Sequence, residues 1–329
     1  MKEIEISGVG FHSGKKAVAT VAAKDSGGIV FIRNGVRVPA LYKNVSDTRL
    51  RNTTVGTPPD SVSTIEHFMA AMFVRGIANA EIGIDGPEMP ILDGSAAELI
   101  KRLKDLDVAG RAPLLRVKKG VAATQRELDG KIPLWKKIFN FITGRKRDGF
   151  VKIAPMDGNR LKITARLVYR ENIIGDQKRS FVFDYDDFAA SAESFDSQIA
   201  KSRTFGKVGE WEWLKKHGMA GGADKHNLIA LGTIDELKRL QRLGLGLDLK
   251  AEDMAPAGED DEVVALTGLR YPDEFVRHKI IDVVGDLYTS GARIAGKIDS
   301  FKGSHALNNL ALRKLFGDAE NYDIIKPEE

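Results

Sequence analysis

The sequence predicts an α+β fold made of two similar halves, residues 1–110 and residues 111–329. Three observations carry this. Short β-type runs cluster at the start of each half, bounded by Gly, Asn or Pro. Helical apolar spacing follows the first of those runs, giving strands, helix, strand, helix in the first half. A similar order, strands then helices, occurs in both halves, with the join near residues 109–113.

In the first half, "EIEISGVGFHSGKKAVATVAAK" reads as strand, glycine-rich turn, strand. "GIVFIRNGVRVPA" repeats the pattern around Asn34-Gly35, a strong hairpin turn. "STIEHFMAAMFVRGI" places apolar residues at i, i+3, i+4 and i+7, which predicts a helix. "NAEIGIDG" predicts a strand and "EMPILDGSA" a loop. "SAAELIKRLKDLDV" predicts a second helix capped by Ser95. In the second half, "LLRVKKGVAA", "GFVKIAP" and "RLKITARLVYR" read as strands. A mixed region opens at "SFDSQIAKSRTFG". "EFVRHKIIDVVGDLYTSGARI" and "SHALNNLALRKLF" read as helices. Two segments look inserted, residues 124–149 and 233–263. The second runs from a helix, "TIDELKRLQRLG", into an acidic stretch that reads as a solvated loop.

Composition bounds the function. Hydrophobic residues make up 43% and charged residues 29% of 329, as in an ordinary globular chain. There is no cysteine, so a metal would have to use His, Asp or Glu. No stretch approaches the ~20 apolar residues of a membrane span, and "MKEIEISGVG" lacks a signal-peptide core, so the expected compartment is the cytoplasm. The net charge of +4 is concentrated at residues 131–147, which hold six basic residues and no acidic one. That argues against a nucleic-acid surface. With Leu134, Trp135, Ile138, Phe141 and Ile142 at helical spacing, it predicts a basic amphipathic helix lying on a membrane surface, or else a helix packed on the protein's own sheet.

The candidate chemistry centres on "EFVRHKIIDVVGD". His278, Asp282 and Asp286 fall on one stripe of an otherwise apolar helix. A His/Asp pair at i, i+4 can face one metal ion, although the same spacing suits a histidine bonded to the aspartate. Asp286 would be costly to bury without a partner. In "STIEHFMAAM", Glu66 suits a capping box with Ser63, which leaves His67 in an apolar helix unexplained. His305 stands at a predicted helix start, where it could cap or act as an acid. Thr204 and Phe205 lie in "SRTFG", which by itself reads as a turn. His217 and His226 read as surface histidines.

Taken together, "GVGFHSGK", "STIEHFMAAM", "EMPILDGSAAE", "SRTFG", "LRYPDEFVRHKIIDVVGDLY" and "GSHALNN" resemble, in order, the zinc-dependent UDP-3-O-acyl-N-acetylglucosamine deacetylases of lipid A synthesis. The resemblance implies two similar α/β-sandwich domains with the active site in the cleft between them, and Zn2+ as cofactor. It implies His67, His278 and Asp282 as zinc ligands, Glu66 as general base and His305 as general acid. Asp286 would orient His305, and Thr204 would stabilise the oxyanion. Lys279 and Lys302 would face the diphosphate, and Phe205 the sugar ring. The expected substrate is an acylated UDP-sugar, and the expected state a monomer, cytoplasmic or peripheral at the inner membrane.

The chain departs from the family's usual pattern at "GMAGGADKHNLIAL", where Asp224-Lys225-His226 is polar, and at Lys207. Both bear on the acyl-chain contacts. Two rival readings are a paralogous deacetylase of another N-acetyl sugar and a non-catalytic sugar-nucleotide-binding relative. The latter would be expected to lose Glu66, one of His67, His278 and Asp282, or His305, and all are present.

Overall fold

The structure is a computed structural model that describes residues 3–48, 51–106, 111–130, 148–170, 173–245, 254–256, 262–265 and 268–326. It is an α+β sandwich of two sheets with helices between them. The first sheet uses strands β1 (Glu3–Val9), β2 (Lys16–Ala23), β3 (Ile29–Arg33), β4 (Val36–Pro39) and β7 (Ala80–Ile84), in the order β1-β2-β7-β3-β4. Small residues at alternate positions of β2, Ala17, Ala19, Val21 and Ala23, form its buried face. The β3–β4 turn holds Asn34 and Gly35 at positive φ, as the sequence predicts. A separate ribbon pairs β5 (Val45–Asp47) with β6 (Thr54–Val55).

The second sheet comprises β8 (Leu114–Val117), β9 (Val121–Thr124), β10 (Phe150–Ala154), β11 (Arg160–Val168), β12 (Asp176–Asp184), β17 (Arg293–Phe301) and β18 (Tyr322–Ile325). All its strands come from residues 114–325, whereas the first sheet uses residues 3–84; we propose the domain boundary near residue 110 on that basis. A small third sheet joins β13 (Phe205–Lys207), β14 (Ile229–Thr233), β16 (Glu262–Ala265) and β15 (Met254–Pro256).

Between the two main sheets lie α1 (Glu66–Val74) and α2 (Ala97–Arg102) on one side. On the other are α7 (Glu274–Tyr288) and α8 (His305–Leu315). Shorter helices are α3 (Gln125–Asp129), α4 (Phe188–Phe195), α5 (Trp211–Lys216) and α6 (Ile234–Arg242). Every residue of α1 is buried, as expected of a helix that is apolar all round and covered on both faces. Phe68 meets Phe31 of the first sheet, while Phe73 meets Phe183 of the second and Tyr288 of α7. One hydrophobic core therefore runs through both halves.

Several expectations need correction. "LLRVKKGVAA" is two strands, β8 and β9, separated by Lys118, Lys119 and Gly120. The helix through "EFVRHKIIDVVGDLY" stops at Tyr288; Gly291 at φ 74 turns the chain, and Arg293 begins β17, a strand the helical reading had absorbed. The sequence does not announce β12, because its first five residues, Asp176 to Ser180, are polar on both faces. The helix "SAAELIKRLKDLDV" is regular only over α2, with Ala96 at its N-cap. Ser95 lies one residue earlier, and its hydroxyl still accepts the Ala97 N–H at 3.2 Å. In the 233–263 segment the helix is present as α6. Residues 254–256 and 262–265 form β15 and β16 rather than a solvated loop. The expected amphipathic helix at 131–147 lies outside the described residues. Among the described residues no helix is long and apolar enough to cross a membrane.

Candidate metal centre and its acid–base flank

The site forms where α1, α7 and α8 meet. α1 begins with Glu66 and His67, and α7 carries His278, Asp282 and Asp286 on one stripe. The helices can approach this closely because of Gly285. A Cβ at that position would stand 1.9 Å from the Glu66 carbonyl oxygen, far inside van der Waals contact.

His67, His278 and Asp282 converge, with one donor atom from each within 4.8 Å of the others. The Asp282 Oδ1 lies 3.6 Å from His67 Nε2 and 3.4 Å from His278 Nε2. Four donors placed tetrahedrally at zinc bond lengths are themselves roughly 3.4 Å apart, so the spacing suits such an ion. His278 Nδ1 lies 3.0 Å from the Ser202 carbonyl, which can only accept. That fixes the tautomer and leaves the Nε2 lone pair facing Asp282. Burial, opposed by Asp282, drives the His278 pKa down to about 3, so the ring is neutral as a ligand must be. Burial pushes Asp282 up, but Lys279 and His278 outweigh it and hold the carboxyl well below its ordinary range. Asp282 Oδ1 is buried without a hydrogen-bond partner. An orphaned buried carboxylate oxygen beside two imidazoles is what a cation would satisfy. With no sulfur donor, two nitrogens and one oxygen fit zinc.

Beside this cluster stand Glu66 and His305. The Glu66 carboxylate accepts the Thr53 N–H at 2.9 Å, in place of the expected capping box with Ser63, whose hydroxyl donates to the Pro87 carbonyl. Burial raises the Glu66 pKa against the opposing pull of His305 and His67. His305 heads α8, with Ser304 as the cap, so the ring is free of that duty. Its Nδ1 donates to Asp286 Oδ2 at 2.8 Å. Burial would lower its pKa, but Asp286 and Glu66 prevail and push it up to about 10. The other donors to Asp286 are Asn308 Nδ2 at 2.7 Å and the Thr53 hydroxyl at 2.5 Å. Every member of the polar stripe His278, Asp282 and Asp286 thus has a partner inside the molecule.

The segment 202–205 runs past the cluster. A buried ion pair, Arg203 Nε to Glu274 Oε1 at 2.9 Å, pins it to the start of α7. Thr204 is fixed through its backbone, its N–H on the Gly94 carbonyl and its carbonyl on the Ile229 N–H, both at 2.8 Å. Phe205 presents its ring to His278 and Phe275. Lys279 lies 5.6 Å from the Phe205 ring centre and 2.8 Å from Asp282 Oδ2. Lys302 pairs with Asp148 at 2.8 Å. Both lysines expected to face the diphosphate thus bond carboxylates of the chain itself. His217 and His226 are at the surface, as read from the sequence.

Sequence reasoning missed Thr53, Ser202 and Asn308, which hold the site residues. It also missed Glu88, which is buried and accepts from the His12 and Ser13 amides and from the Thr64 hydroxyl. Asn308, Ser202 and Glu88 lie inside the quoted motifs "GSHALNN", "SRTFG" and "EMPILDGSAAE"; Thr53 had no such signal.

A two-sheet α+β sandwich with a buried His/His/Asp donor set, flanked by a carboxylate and an imidazole of raised pKa, defines the site of a hydrolase. The family described as UDP-3-O-acyl N-acetylglycosamine deacetylase matches residues 1–238 and 230–317, and the chain belongs to that family. It is 31% identical to the UDP-3-O-acyl-N-acetylglucosamine deacetylase of Neisseria meningitidis serogroup C (strain 053442), over 99% of this chain and 91% of the relative. It is 34% identical to the protein of the same name from Citrifermentans bemidjiense, over 97% of this chain and 88% of the relative.

Proposed function

We propose that the protein hydrolyses the N-acetyl group of a UDP-3-O-acyl-N-acetylglucosamine, releasing acetate and the free amine, in lipid A synthesis. The observation that carries this reading is the convergence of six buried residues, Glu66, His67, His278, Asp282, Asp286 and His305, at one helix junction. His67, His278 and Asp282 would hold Zn2+. A zinc ion with three protein ligands supplies Lewis acidity for amide hydrolysis. Glu66 then takes the proton of the attacking water; its raised pKa makes it a better base than an exposed carboxylate. His305, kept protonated by Asp286, gives a proton to the departing amine. Thr204 would contribute a hydroxyl donor to the oxyanion. Phe205 would pack on the sugar, and Lys279 and Lys302 would exchange their carboxylate partners for the diphosphate.

Zinc-dependent acetate release should be measured with the 3-O-acylated UDP-sugar and with the unacylated one. Release from the acylated substrate that stops on chelation and returns with zinc supports the reading. Equal turnover of both sugars points to a different N-acetyl sugar as substrate, and no release from either removes the reading.

A further inference from the structure

We propose that Thr53 is a positioning residue that couples the proton donor to the proton acceptor; the inference rests on the acid–base roles just assigned. Thr53 stands immediately before β6 and is buried at 2% exposure. Its carbonyl accepts the Ile65 N–H and its own N–H donates to Glu66 Oε2, so the residue is fixed on the first turn of α1. From there its hydroxyl crosses to the other half of the protein and donates to Asp286 Oδ1 at 2.5 Å, between residues 233 apart in sequence.

The direction of that bond is settled by chemistry, since an ionised carboxylate can only accept. Its length is that of a charge-assisted bond. The two oxygens of Asp286 therefore have separate duties. Oδ2 takes His305 Nδ1 and Asn308 Nδ2, while Oδ1 is held by Thr53. A carboxylate bonded at one oxygen can swing about its terminal torsion, whose energy wells are broad. Bonding the second oxygen fixes the plane, and with it the direction in which the His305 ring points. Threonine hydroxyls ordinarily satisfy themselves on nearby backbone. This one instead reaches a carboxylate in the opposite half, while its amide serves the proposed base. The hydrogen bonds of Thr53 go to Glu66, Asp286 and Ile65, so its effect should reach kcat through Asp286 rather than substrate binding.

Thr53→Val keeps the shape and the N–H to Glu66 but removes the hydroxyl, and Thr53→Ser restores it. We expect Thr53→Val to lower kcat roughly tenfold, with KM within about twofold and bound metal unchanged. Thr53→Ser should recover kcat to within about threefold of the native value. The double variant Thr53→Val/Asp286→Asn should be no slower than Asp286→Asn alone, because the hydroxyl then has no carboxylate to orient. A native kcat in Thr53→Val beside a slow Asp286→Asn would overturn the inference and leave the proton-donor reading standing. A native kcat in Asp286→Asn would overturn that reading itself. Multiplying effects in the double variant, or a Thr53→Ser as slow as Thr53→Val, would also overturn the inference. If Thr53→Val does not fold, Thr53→Ala is compared with Thr53→Ser in the same way.

Discussion

α1 and α7 face each other across the site, and both are buried, yet they carry chemistry in different ways. α1 is polar only in its first turn, at Glu66 and His67, and apolar over the rest of its nine residues. α7 carries polar groups along its length, at His278, Asp282 and Asp286. At a helix start the loop alongside can serve the carboxylate, as the Thr53 N–H serves Glu66. Along a helix flank the polar groups draw mostly on other elements. Ser202 serves His278, and Thr53, His305 and Asn308 serve Asp286, while Asp282 takes Lys279 from its own helix. A catalytic group at a helix end is thus cheap to support, and a stripe along a helix demands a whole junction.

The hardest test of this division is to remove one proposed metal donor from each helix. His67→Ala and His278→Ala should both lose bound zinc and fall to background rate, since a tetrahedral site needs all three protein ligands. Full zinc content in either variant would remove that histidine from the ligand set. Next in size are the two residues we propose for proton transfer. Glu66→Gln and His305→Ala should keep zinc and fold while losing about 10²–10⁴ in kcat. Wild-type turnover in either would show that its helix contributes structure alone.

A pH experiment separates the two helices further. His305 has a folded pKa of about 10, above its ordinary 6.5. A raised pKa means that its stabilisation is complete below 6.5 and is lost as pH rises toward 10. In protein stripped of metal, unfolding free energy should decline across that window by on the order of a few kcal/mol. Asp286→Asn, which removes the charge beside the ring, should flatten the decline. The same slope in Asp286→Asn would mean that α7 does not hold the His305 proton.

Much of this arrangement was legible in the sequence because its signals are local. The i, i+4 and i+8 spacing of His278, Asp282 and Asp286 needs only helical geometry. Glu66-His67 stands out because His67 sits among apolar neighbours. Thr53 was not legible. "RNTTVG" has no period, and the value of its hydroxyl lies in a residue 233 positions away. The capping-box reading of Glu66 failed for a related reason. Ser63 and Glu66 match the local rule, but tertiary partners, Pro87 and Thr53, took both side chains. Strand β17 was hidden because a helix ending in "LYTSGARI" shows its stop only at Gly291.

Gly285 gives the finest test, because it adds a single carbon where the two helices meet. An alanine is ordinarily better than glycine within a helix by about 1 kcal/mol. Here the added carbon would lie 1.9 Å from the Glu66 carbonyl oxygen and 2.7 Å from its carbon, and backbone cannot turn aside as a side chain can. The crowding must be relieved by moving α1 away from α7. Glu66 and His67 ride on α1, so the shift separates them from His278, Asp282 and Asp286 together. Gly285→Ala should therefore destabilise the protein by about 1–3 kcal/mol, as overpacking does, and not stabilise it. It should also weaken zinc binding and lower kcat, although position 285 bears no functional group. Thermal unfolding, bound metal and kcat in one variant read out the same displacement. An alanine variant as stable and active as the native protein would show that α1 and α7 can part without cost, and that the site does not depend on their contact.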